Sequence, residues 1–574
     1  MANYTEEKER EYQNAVVAMM NDEYGLDYTY LGNFQYAKGE LARSDGIKNG
    51  NVIEGELRQY LKDAGYTQLQ IDAAARKLLD AAALPSEKFA DLLERNAAFY
   101  DLLVSGTKAK PSPDKTETDV AFINFDRPKE NRFSFAEEVS YIDPITGKHS
   151  RPDIVVYVNG IALCVLELKR SLVTIDEGVR QCLSNERDLI PSFFTTVQFT
   201  VAANPKHGKD KSDNTGFKYA TIGTPQKFWC NWKDDGQKVG TQLTDIESLQ
   251  RFFDKETFLF LVQYGVVFDA GIKKIMRPHQ YHALRACRKR LDDKASGVIW
   301  HSQGSGKSLT MVWLANYIRS NFRNPRVLII TDRTELDEQI KRNFQHTNNS
   351  LYQAKSKADL LKVLNGGTEW LICSLIHKFG VHPETDERDK NSVKIPLDKY
   401  LEELKEIIRR EYPHGFSVKG SNIFVFIDEC HRTQGGSLHA AMREIMGQDV
   451  MLIGFTGTPL LKDDKKHGYD AFKNASEVRF GKFIHTYLHK EAVDDGVILD
   501  LEYEARDAEQ RLDSKDQLDA KFATLTSGLA PERVQEVKDR WATLEKVYSA
   551  NERIERIGYS VLDDMTSNAM LKQD

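Results

Sequence analysis

The chain has 574 residues, of which 41% are hydrophobic and 29% are charged, and its formal net charge is −7. This length allows three or four domains that each bury a core, and the composition is ordinary for a soluble globular protein. The charge excludes an overall basic surface, so any contact with nucleic acid must depend on local patches.

The first part of the chain is predicted to be helical and then rich in strands. Leu, Ile and Ala recur at three- and four-residue spacing within residues 51–103, a pattern typical of helices. A polar connection that contains proline follows at 109–120. The next segments are strand-like: VAFINF, RFSFAEEVSYI, PDIVVYV, IALCVLEL, QFTVAAN and FKYATIG. We predict an α+β domain with a mixed sheet.

Three charged residues lie in or beside the most apolar of these strands. Asp153 precedes IVVYV, while Glu167 and Lys169 flank Leu168 at the end of IALCVLEL, after a turn at Asn159-Gly160. Buried charges are costly unless they are paired or hold a metal. A surface hairpin with a cross-strand ion pair is one interpretation, but the apolar surroundings argue against it. The other is metal-dependent phosphodiester hydrolysis, with Mg²⁺ held by Asp153 and Glu167 and with Lys169 offsetting negative charge.

From about residue 266 the pattern changes to short buried strands that alternate with helical stretches. The strands are GVIWH, RVLIITDR, EWLICSL, IFVFIDE and MLIGFTGT, and this alternation predicts a parallel sheet with helices on both faces. After about 475 a further α/β unit is expected to begin. The remainder, about 505–574, is polar and prone to form helices.

A candidate nucleotide site follows the strand GVIW. In HSQGSGKS, residues 301–308, Gly304 and Gly306 would let backbone N–H groups, including that of Ser305, approach phosphates at a helix N-terminus. Lys307 would reach the β- and γ-phosphates, and Ser308 would hold Mg²⁺. The strict pattern has glycine where this chain has His301, and a chance glycine-rich turn is the alternative.

Two acids downstream strengthen the prediction of an ATP site. Asp428 and Glu429 end the apolar strand IFVFI, where one acid can bind Mg²⁺ and the second can orient the attacking water. The next strand ends in GFTGTP at the same predicted sheet edge. A helix-capping acid followed by a surface acid remains an alternative for the pair alone.

These motor motifs carry a resemblance. GSGKS, DECH and TGTP resemble motifs I, II and III of superfamily 2 helicases and DNA translocases, and MRPHQYHALRA, 276–286, resembles their adenine-reading segment. The resemblance implies base contact by Gln280, with Arg277 nearby, and DNA-facing roles for 328–340 and 371–379. It also implies a second RecA-like domain, but no QxxGRxxR-like stretch follows residue 460. Either the chain is an N-terminal fragment, which we favour, or its second domain is missing for biological reasons.

The charged cluster carries a second resemblance. Pro152-Asp153 with Glu167-Leu168-Lys169 is similar to the PD-(D/E)xK nuclease motif, and its position before a superfamily 2 motor resembles the R subunit of type I restriction–modification enzymes. That family often has QxxxY on the following helix; here Gln181 is followed by Asn185. The resemblance implies that Gln181 positions DNA or the metal cluster, although a solvated helix residue is an equal alternative.

Together these patterns predict an α/β multidomain protein. We expect an endonuclease domain at 1–265 with its PD-(D/E)xK core at about 120–235, a first RecA-like domain at 266–470 and the truncated start of a second at 471–574. The resemblance implies ATP and Mg²⁺ as cofactors, and double-stranded DNA plus methyltransferase and specificity subunits as partners. Two other functions remain open: a stand-alone DNA repair nuclease–helicase, and a DNA-stimulated ATPase remodeller whose 153/167/169 cluster is only structural.

The cysteines and the apolar runs indicate the compartment. Six cysteines are scattered without a CxxC pair, which favours reduced thiols over a zinc site or disulfides. No apolar run approaches the roughly 18 residues of a membrane span, and the polar start of the chain is unlike a signal peptide. We expect a cytoplasmic protein without membrane contact.

Overall fold

A computed structural model describes most of the chain. The described residues are 2–35, 50–86, 88–170, 173–205, 216–236, 243–331, 344, 350–367, 369–375, 406–414, 416, 418, 422–430, 446, 450–457, 482–500, 515–541 and 551–567. The chain divides into two compact units, Met1–Ile498 and Leu499–Asp574. Among the described residues, no helix is long and apolar enough to cross a membrane.

Helices dominate the start of the first unit, and the sequence predicted those within residues 51–103. They are α1 (Ala2–Asn21), α2 (Glu54–Asp63), α3 (Gln68–Ala82) and α4 (Phe89–Ser105). A capping box in which Thr67 and Gln70 exchange hydrogen bonds begins α3. The leucines at the recurring positions of these helices, such as Leu57 and Leu78, are buried, so the apolar stripe is what docks the helices.

A six-stranded mixed sheet carries the charged cluster. Its strands lie in the order β1-β4-β7-β8-β9-β10, with bounds β1 Thr29–Asn33, β4 Phe133–Glu137, β7 Ile154–Val158, β8 Ile161–Leu168, β9 Phe199–Ala203 and β10 Phe217–Ala220. Strands β7 and β8 form an antiparallel hairpin, whereas β8 and β9 are parallel. All residues of β7 and β8 are buried, which explains why they are continuous apolar runs.

The predicted turn at Asn159-Gly160 joins β7 to β8. Both residues have left-handed backbones, with φ of 52° and 80°. A Cβ at position 160 would lie 2.6 Å from the carbonyl oxygen of Ile53. Only glycine fits there, because the turn packs directly against the chain that enters α2.

Short elements surround this sheet. Two small antiparallel pairs are β2 (Thr107–Ala109) with β3 (Thr118–Val120) and β5 (Tyr141–Ile142) with β6 (His149–Ser150). Helix α5 (Ile175–Ser184) continues into a π-helical turn at Asn185–Leu189. The 3₁₀ turns are Pro128–Glu130, Pro191–Thr195 and Gln226–Phe228. Helices α6 (Asp245–Phe253) and α7 (Lys255–Tyr264) precede the hairpin of β11 (Val266–Asp269) and β12 (Ile272–Ile275).

A buried lysine connects that hairpin to helix α4 and to the residue before β9. Lys273 is 1% exposed, and its ammonium donates to Oδ1 of Asn96 and Oε1 of Gln198, both at 2.6 Å. Burial lowers the pKa of Lys273 well below its usual value. The polar partners therefore compensate a group that would otherwise be expensive to bury.

The second large sheet is parallel and has seven strands in the order β15-β16-β14-β17-β18-β13-β19. The bounds are β13 Gly297–His301, β14 Pro325–Thr331, β15 Tyr352–Gln353, β16 Leu371–Leu375, β17 Asn422–Ile427, β18 Met451–Thr456 and β19 Phe483–Tyr487. The described helices in this region include α8 (Pro278–Asp292), α9 (Lys307–Asn321), α10 (Lys357–Gly366) and α11 (His489–Asp494). This agrees with the predicted parallel sheet.

Two sequence expectations differ from the structure. Most of VAFINF is not strand, because β3 ends at Val120 and the buried Phe122 and Ile123 lie in irregular chain. Strand β19 lies where a further α/β unit was expected to begin, but it pairs with β13. The seven-stranded sheet therefore extends to Tyr487.

The second unit contains helices among its described residues. They are α12 (Lys515–Leu525), α13 (Pro531–Trp541) and α14 (Asn551–Ser567). All six cysteines are free thiols, and five of them are buried, as expected for reduced cysteines. The division into domains at 265 and 470 remains a prediction.

Candidate functional site

The structure brings Asp153, Glu167 and Lys169 together. The ammonium nitrogen of Lys169 lies 3.8 Å from Oδ2 of Asp153 and 3.9 Å from Oε2 of Glu167. The backbone N–H of Leu168 donates to Oδ2 of Asp153 at 2.7 Å. This contact fixes the entry of β7 against the end of β8, so the three charges meet at one sheet edge.

Glu167 is the most buried of the three. Its side chain is 0% exposed, against 18% for Asp153 and 11% for Lys169. Burial raises the pKa of Glu167 well above its usual value, and the charge of Asp153 raises it further, while Lys169 and Asn185 oppose the shift. Its Oε2 atom is buried and accepts no hydrogen bond from the described residues. An additional positive charge at this oxygen would compensate the buried carboxylate.

Asn185 also contacts the cluster, which sequence reasoning missed. Its Nδ2 donates to Oε1 of Glu167 at 2.8 Å, and its Oδ1 accepts from Oγ of Ser150 at 2.6 Å. Gln181, the residue predicted to act from this helix, is half-buried on α5, and it is Asn185 that hydrogen-bonds Glu167. The sequence shows only that position 185 departs from the related QxxxY pattern, and this departure does not reveal the contact with Glu167.

Helix α5 approaches the cluster through a glycine. A Cβ at Gly178 would lie 3.2 Å from Cβ of Ala202 and 3.4 Å from Cγ of Lys169. These distances are tight but do not overlap the backbone, so the missing side chain lets α5 pack directly on β8 and β9. The stem of Lys169 is thereby enclosed, which leaves its ammonium near the two carboxylates.

A second acidic pair, Glu137 at the end of β4 and Glu138 directly after it, lies next to Asp153. Arg10 from α1 lies 3.2 Å from Glu137 and 3.5 Å from Glu138. Arg151 pairs with Glu138 at 2.6 Å, and the N–H of Glu138 donates to the carbonyl of Asp153. These acids have arginine partners of their own, so they support the strand entry and differ from the lysine-paired cluster.

The candidate nucleotide loop connects β13 to α9. Gly304 and Gly306 have φ of 82° and 87°, the left-handed conformation that glycine adopts without strain. Nε2 of Gln280 donates to the carbonyl of Gly306 at 3.2 Å, and its Oε1 accepts from the N–H of Arg277 at 2.9 Å. Gln280 thus ties the start of α8 to the loop. The predicted contact of Gln280 with a base remains a prediction.

The acids of β17 lie at the same edge as this loop. Nζ of Lys307 is 3.7 Å from Oε1 of Glu429. Oδ1 of Asp428 accepts from the N–H of Glu429, whose φ is 45°. A Cβ at Gly457, which follows β18, would lie 3.0 Å from Nζ of Lys307. The loop and the ends of β17 and β18 therefore surround the lysine, as the sequence predicted, while Ser308 is half-buried at the start of α9.

His301 explains the departure from the strict loop pattern. It belongs to β13, is 0% exposed, and its Nε2 lies 2.9 Å from Nδ1 of His485 on β19. Burial lowers the pKa of His301 well below its usual value. This residue is part of the sheet interior, and the candidate nucleotide loop begins after it.

Some predicted motif residues lie outside the described residues. They are 332–340 of the segment LIITDRTELDEQI, 376–379 of LICSLIHKF, His431 of DECH and 458–459 of GFTGTP. Within the described residues, no group of three or more His, Cys, Asp or Glu side chains could hold a metal. A metal at β7 and β8 would therefore rest on two carboxylates and water, a ligand set that is common for Mg²⁺.

Two family models match the chain. Residues 6–216 match the type I restriction enzyme R protein N terminus, and residues 279–535 match the SWI2/SNF2 ATPase. The first match contains the carboxylate–lysine cluster, and the second contains the nucleotide loop and the acids of β17.

Curated relatives are similar to this chain over most of its length. The HindI type I restriction enzyme endonuclease subunit of Haemophilus influenzae is 27% identical over 574 residues, which cover 92% of this chain and 48% of the relative. The SsaAORF53P type I restriction enzyme endonuclease subunit of Staphylococcus saprophyticus is 25% identical over 476 residues, which cover 78% of this chain and 46% of the relative. The chain therefore spans about half the length of these relatives.

A solved structure also matches part of the chain. It is an ATP-dependent Type ISP restriction-modification enzyme, LlaBIII, bound to DNA, with a TM-score of 0.27 and 14% identity over 39% of this chain and 16% of that one.

Proposed function

Since the chain belongs to the family of type I restriction enzyme R subunits, we propose that it contains the motor and nuclease of such a subunit. In this proposal the seven-stranded sheet carries ATP-dependent translocation of double-stranded DNA. The six-stranded sheet carries metal-dependent phosphodiester cleavage, of the PD-(D/E)xK type, distant from the recognition site.

One observation carries the nuclease proposal. Oε2 of Glu167 is buried, accepts no hydrogen bond from the described residues and lies 3.9 Å from the ammonium of Lys169. A structural ion pair would be expected to satisfy this oxygen, because an unsatisfied buried carboxylate oxygen costs stability. A divalent cation held by Glu167 and Asp153 would satisfy it.

The roles in cleavage follow from these positions. A bound Mg²⁺ would activate water and stabilise the leaving oxygen. Asp153 is oriented by the N–H of Leu168, and Lys169 stands where it can offset negative charge that develops on the phosphate. Gln181 is half-buried one turn beyond Gly178 on α5; its proposed role is to position DNA near the cluster.

The motor residues take the roles that their motifs predict. Lys307 would hold the phosphates of ATP, with backbone N–H groups of Gly304, Ser305 and Gly306 around them. Mg²⁺ would be held by Ser308 and Asp428, and Glu429 would orient the attacking water. Lys307 and Glu429 already face each other, so ATP binding would insert the phosphates beside both. Arg277 and Gln280 would contact the base.

The proposed partners are double-stranded DNA and the methyltransferase and specificity subunits. Two other functions compete: a stand-alone DNA repair nuclease–helicase would cut without these subunits, and a DNA-stimulated remodeller would hydrolyse ATP without cutting. All three candidate functions include an ATP-driven motor. They differ in whether DNA is cut and in whether cutting needs ATP and the partner subunits.

The test uses the full-length protein with its methyltransferase and specificity subunits. Cleavage of unmethylated plasmid is followed with and without ATP, for the wild type and for Lys169→Ala. We expect cleavage that needs ATP and the partner subunits and that disappears in the variant while ATP hydrolysis persists. Cutting without ATP or partners would instead support the repair enzyme. ATP hydrolysis without any cutting by the wild type would support the remodeller.

A further inference from the structure

We propose that Asn185 is a positioning residue that holds Glu167 in the orientation in which one carboxylate oxygen faces Asp153 and Lys169, and that Ser150 fixes the amide of Asn185 in turn. This inference rests on the proposed nuclease function and adds two residues to its site.

The two carboxylate oxygens of Glu167 have different surroundings. Oε1 accepts from Nδ2 of Asn185 at 2.8 Å, whereas Oε2 lies 3.9 Å from Nζ of Lys169 and accepts no hydrogen bond from the described residues. A carboxylate can rotate about its last bond, which exchanges its oxygens. The bond from Asn185 holds one oxygen and so directs the other toward Asp153 and Lys169.

Ser150 determines which way the Asn185 amide faces. Nδ2 of Asn185 donates to Oε1 of Glu167, and the ionised carboxylate, which is the form that a bound cation would favour, can only accept. Oδ1 of Asn185 then faces Oγ of Ser150 at 2.6 Å, and the serine hydroxyl must donate. This chain of two bonds leaves one orientation for each group.

The backbone at the end of α5 places Asn185 in the protein interior. Asn185 is 0% exposed and begins the π-helical turn Asn185–Leu189 that follows α5. Gly178, two turns earlier on the same helix, packs against the stem of Lys169. Helix α5 thus contacts Lys169 at one point and Glu167 at another, and π-helical turns are frequent at functional sites.

The expected effect is on cation affinity. Hydrogen-bond partners that orient metal ligands typically change affinity by about 10- to 100-fold when they are removed. Because Asn185 is fully buried, it cannot touch DNA directly, so its loss should act through Glu167.

The experiment titrates the full chain with Mn²⁺, without nucleotide or DNA, by calorimetry. The difference between the wild type and Glu167→Gln defines the binding that depends on the cluster. We expect Asn185→Leu, which keeps the side-chain shape but removes both hydrogen bonds, to weaken this binding by about tenfold or more. Ser150→Ala keeps Asn185 and should weaken it by a smaller factor, about threefold, which provides a milder variant if Asn185→Leu folds poorly.

Asn159→Gly is the matched control. Asn159 is equally buried beside the same sheet, and its amide donates to the carbonyl of Phe122 and to Asn131, away from the cluster. Glycine retains the left-handed backbone there. We expect unchanged Mn²⁺ affinity in this variant and a thermal midpoint lowered as much as in the Asn185 variant.

The outcomes separate this inference from the function on which it rests. Wild-type affinity in Asn185→Leu and Ser150→Ala, with binding lost in Glu167→Gln, would overturn the positioning role and leave the nuclease proposal in place. Equal Mn²⁺ binding by the wild type and Glu167→Gln would overturn both. In the assembled enzyme, cleavage by Asn185→Leu should recover when the Mn²⁺ concentration is raised, a recovery that a merely structural defect would not give.

Discussion

Glu167 is held in a strand interior at a cost to the fold. Its pKa is raised, first by burial and then by the charge of Asp153, so the folded protein without a cation disfavours the charged form. The chain nevertheless keeps a carboxylate where leucine or glutamine would fit an apolar strand. Functional sites often keep a side chain that lowers the stability of the fold, as this carboxylate does in an apolar strand.

Glu167→Gln should therefore stabilise the protein while removing cleavage. Glutamine can still accept from Asn185, and it removes the like charge that faces Asp153. We expect the thermal midpoint, measured by calorimetry in a chelator, to rise by about 2–4 °C. A lower midpoint would mean that the negative charge of Glu167 is compensated by Lys169 alone.

Glu186 gives a pH-dependent prediction. It is 1% exposed, and burial raises its pKa to about 8, although the N–H of Gly223 and the guanidinium of Arg187 oppose the shift. The unfolded chain releases this proton near pH 4.5, and the folded chain retains it up to about 8. Folding stability from this group is therefore present at low pH and is lost as pH rises between these values, by at most about 1.4 kcal/mol per pH unit.

The Glu186→Gln variant should lose this dependence of folding stability on pH. We expect its free energy of unfolding, measured by urea denaturation between pH 5 and 8, to change less with pH than that of the wild type. The two curves should agree at about pH 5 and diverge toward about pH 8, where the variant is the more stable. Parallel curves would show that Glu186 is not the group that titrates.

Residue-scale prediction from the sequence succeeded where chemistry and periodicity agreed. Asp153, Glu167 and Lys169 were expected to lie together. In the structure a carboxylate oxygen of Asp153 and one of Glu167 each lie within 4 Å of the ammonium nitrogen of Lys169. Asn185 was not expected as a partner of Glu167, because its position depends on a π-helical turn that leaves no simple periodic signal. The catalytic roles themselves remain predictions.

At the scale of elements, the contact of α5 with β8 and β9 is the one most sensitive to the size of a side chain, the one at position 178. Gly178 brings the helix close to Lys169 and Ala202, so the helix–sheet distance is set by an absent side chain. A methyl group would require shifts of a few tenths of an ångström, whereas a larger side chain would displace the helix.

Gly178→Leu should impair cleavage more than Gly178→Ala, and neither should affect ATP hydrolysis. A displaced α5 would move the stem of Lys169 and pull Asn185 from Glu167. We expect the cleavage rate of the leucine variant to fall by about 100-fold, the effect of misplacing a catalytic group by about 1 Å. Equal rates in both variants would show that α5 tolerates displacement.

Element prediction failed for a physical reason in two places. The run VAFINF is buried like a strand, but burial indicates packing and does not reveal whether a backbone has a ladder partner. FIHTY forms β19, as a strand-like segment should, but its pairing with β13 is a contact distant in sequence. The strands of both sheets that alternate or run apolar between turns were otherwise predictable.

At the scale of the whole molecule, we expect the proposed nuclease to depend on the proposed motor, whereas the motor should not depend on the nuclease. Lys307→Ala should reduce ATP hydrolysis by about 100-fold or more, because a charged phosphate ligand is lost. In the assembled enzyme it should also abolish cleavage, since in the proposed function cutting follows translocation. Mn²⁺ binding at Asp153 and Glu167 should be unchanged, measured by the same calorimetry. Cleavage that survives in this variant would separate the nuclease from the motor.

The order of the seven-stranded sheet has a consequence for synthesis of the chain. Strand β13 carries the nucleotide loop, but its two neighbours, β18 and β19, begin only at Met451 and Phe483. While the ribosome makes the intervening chain, both edges of β13 lack their partners, and open strand edges invite wrong pairing. We infer that the nucleotide loop matures late in translation and that nascent chains arrested before Met451 would depend on chaperones.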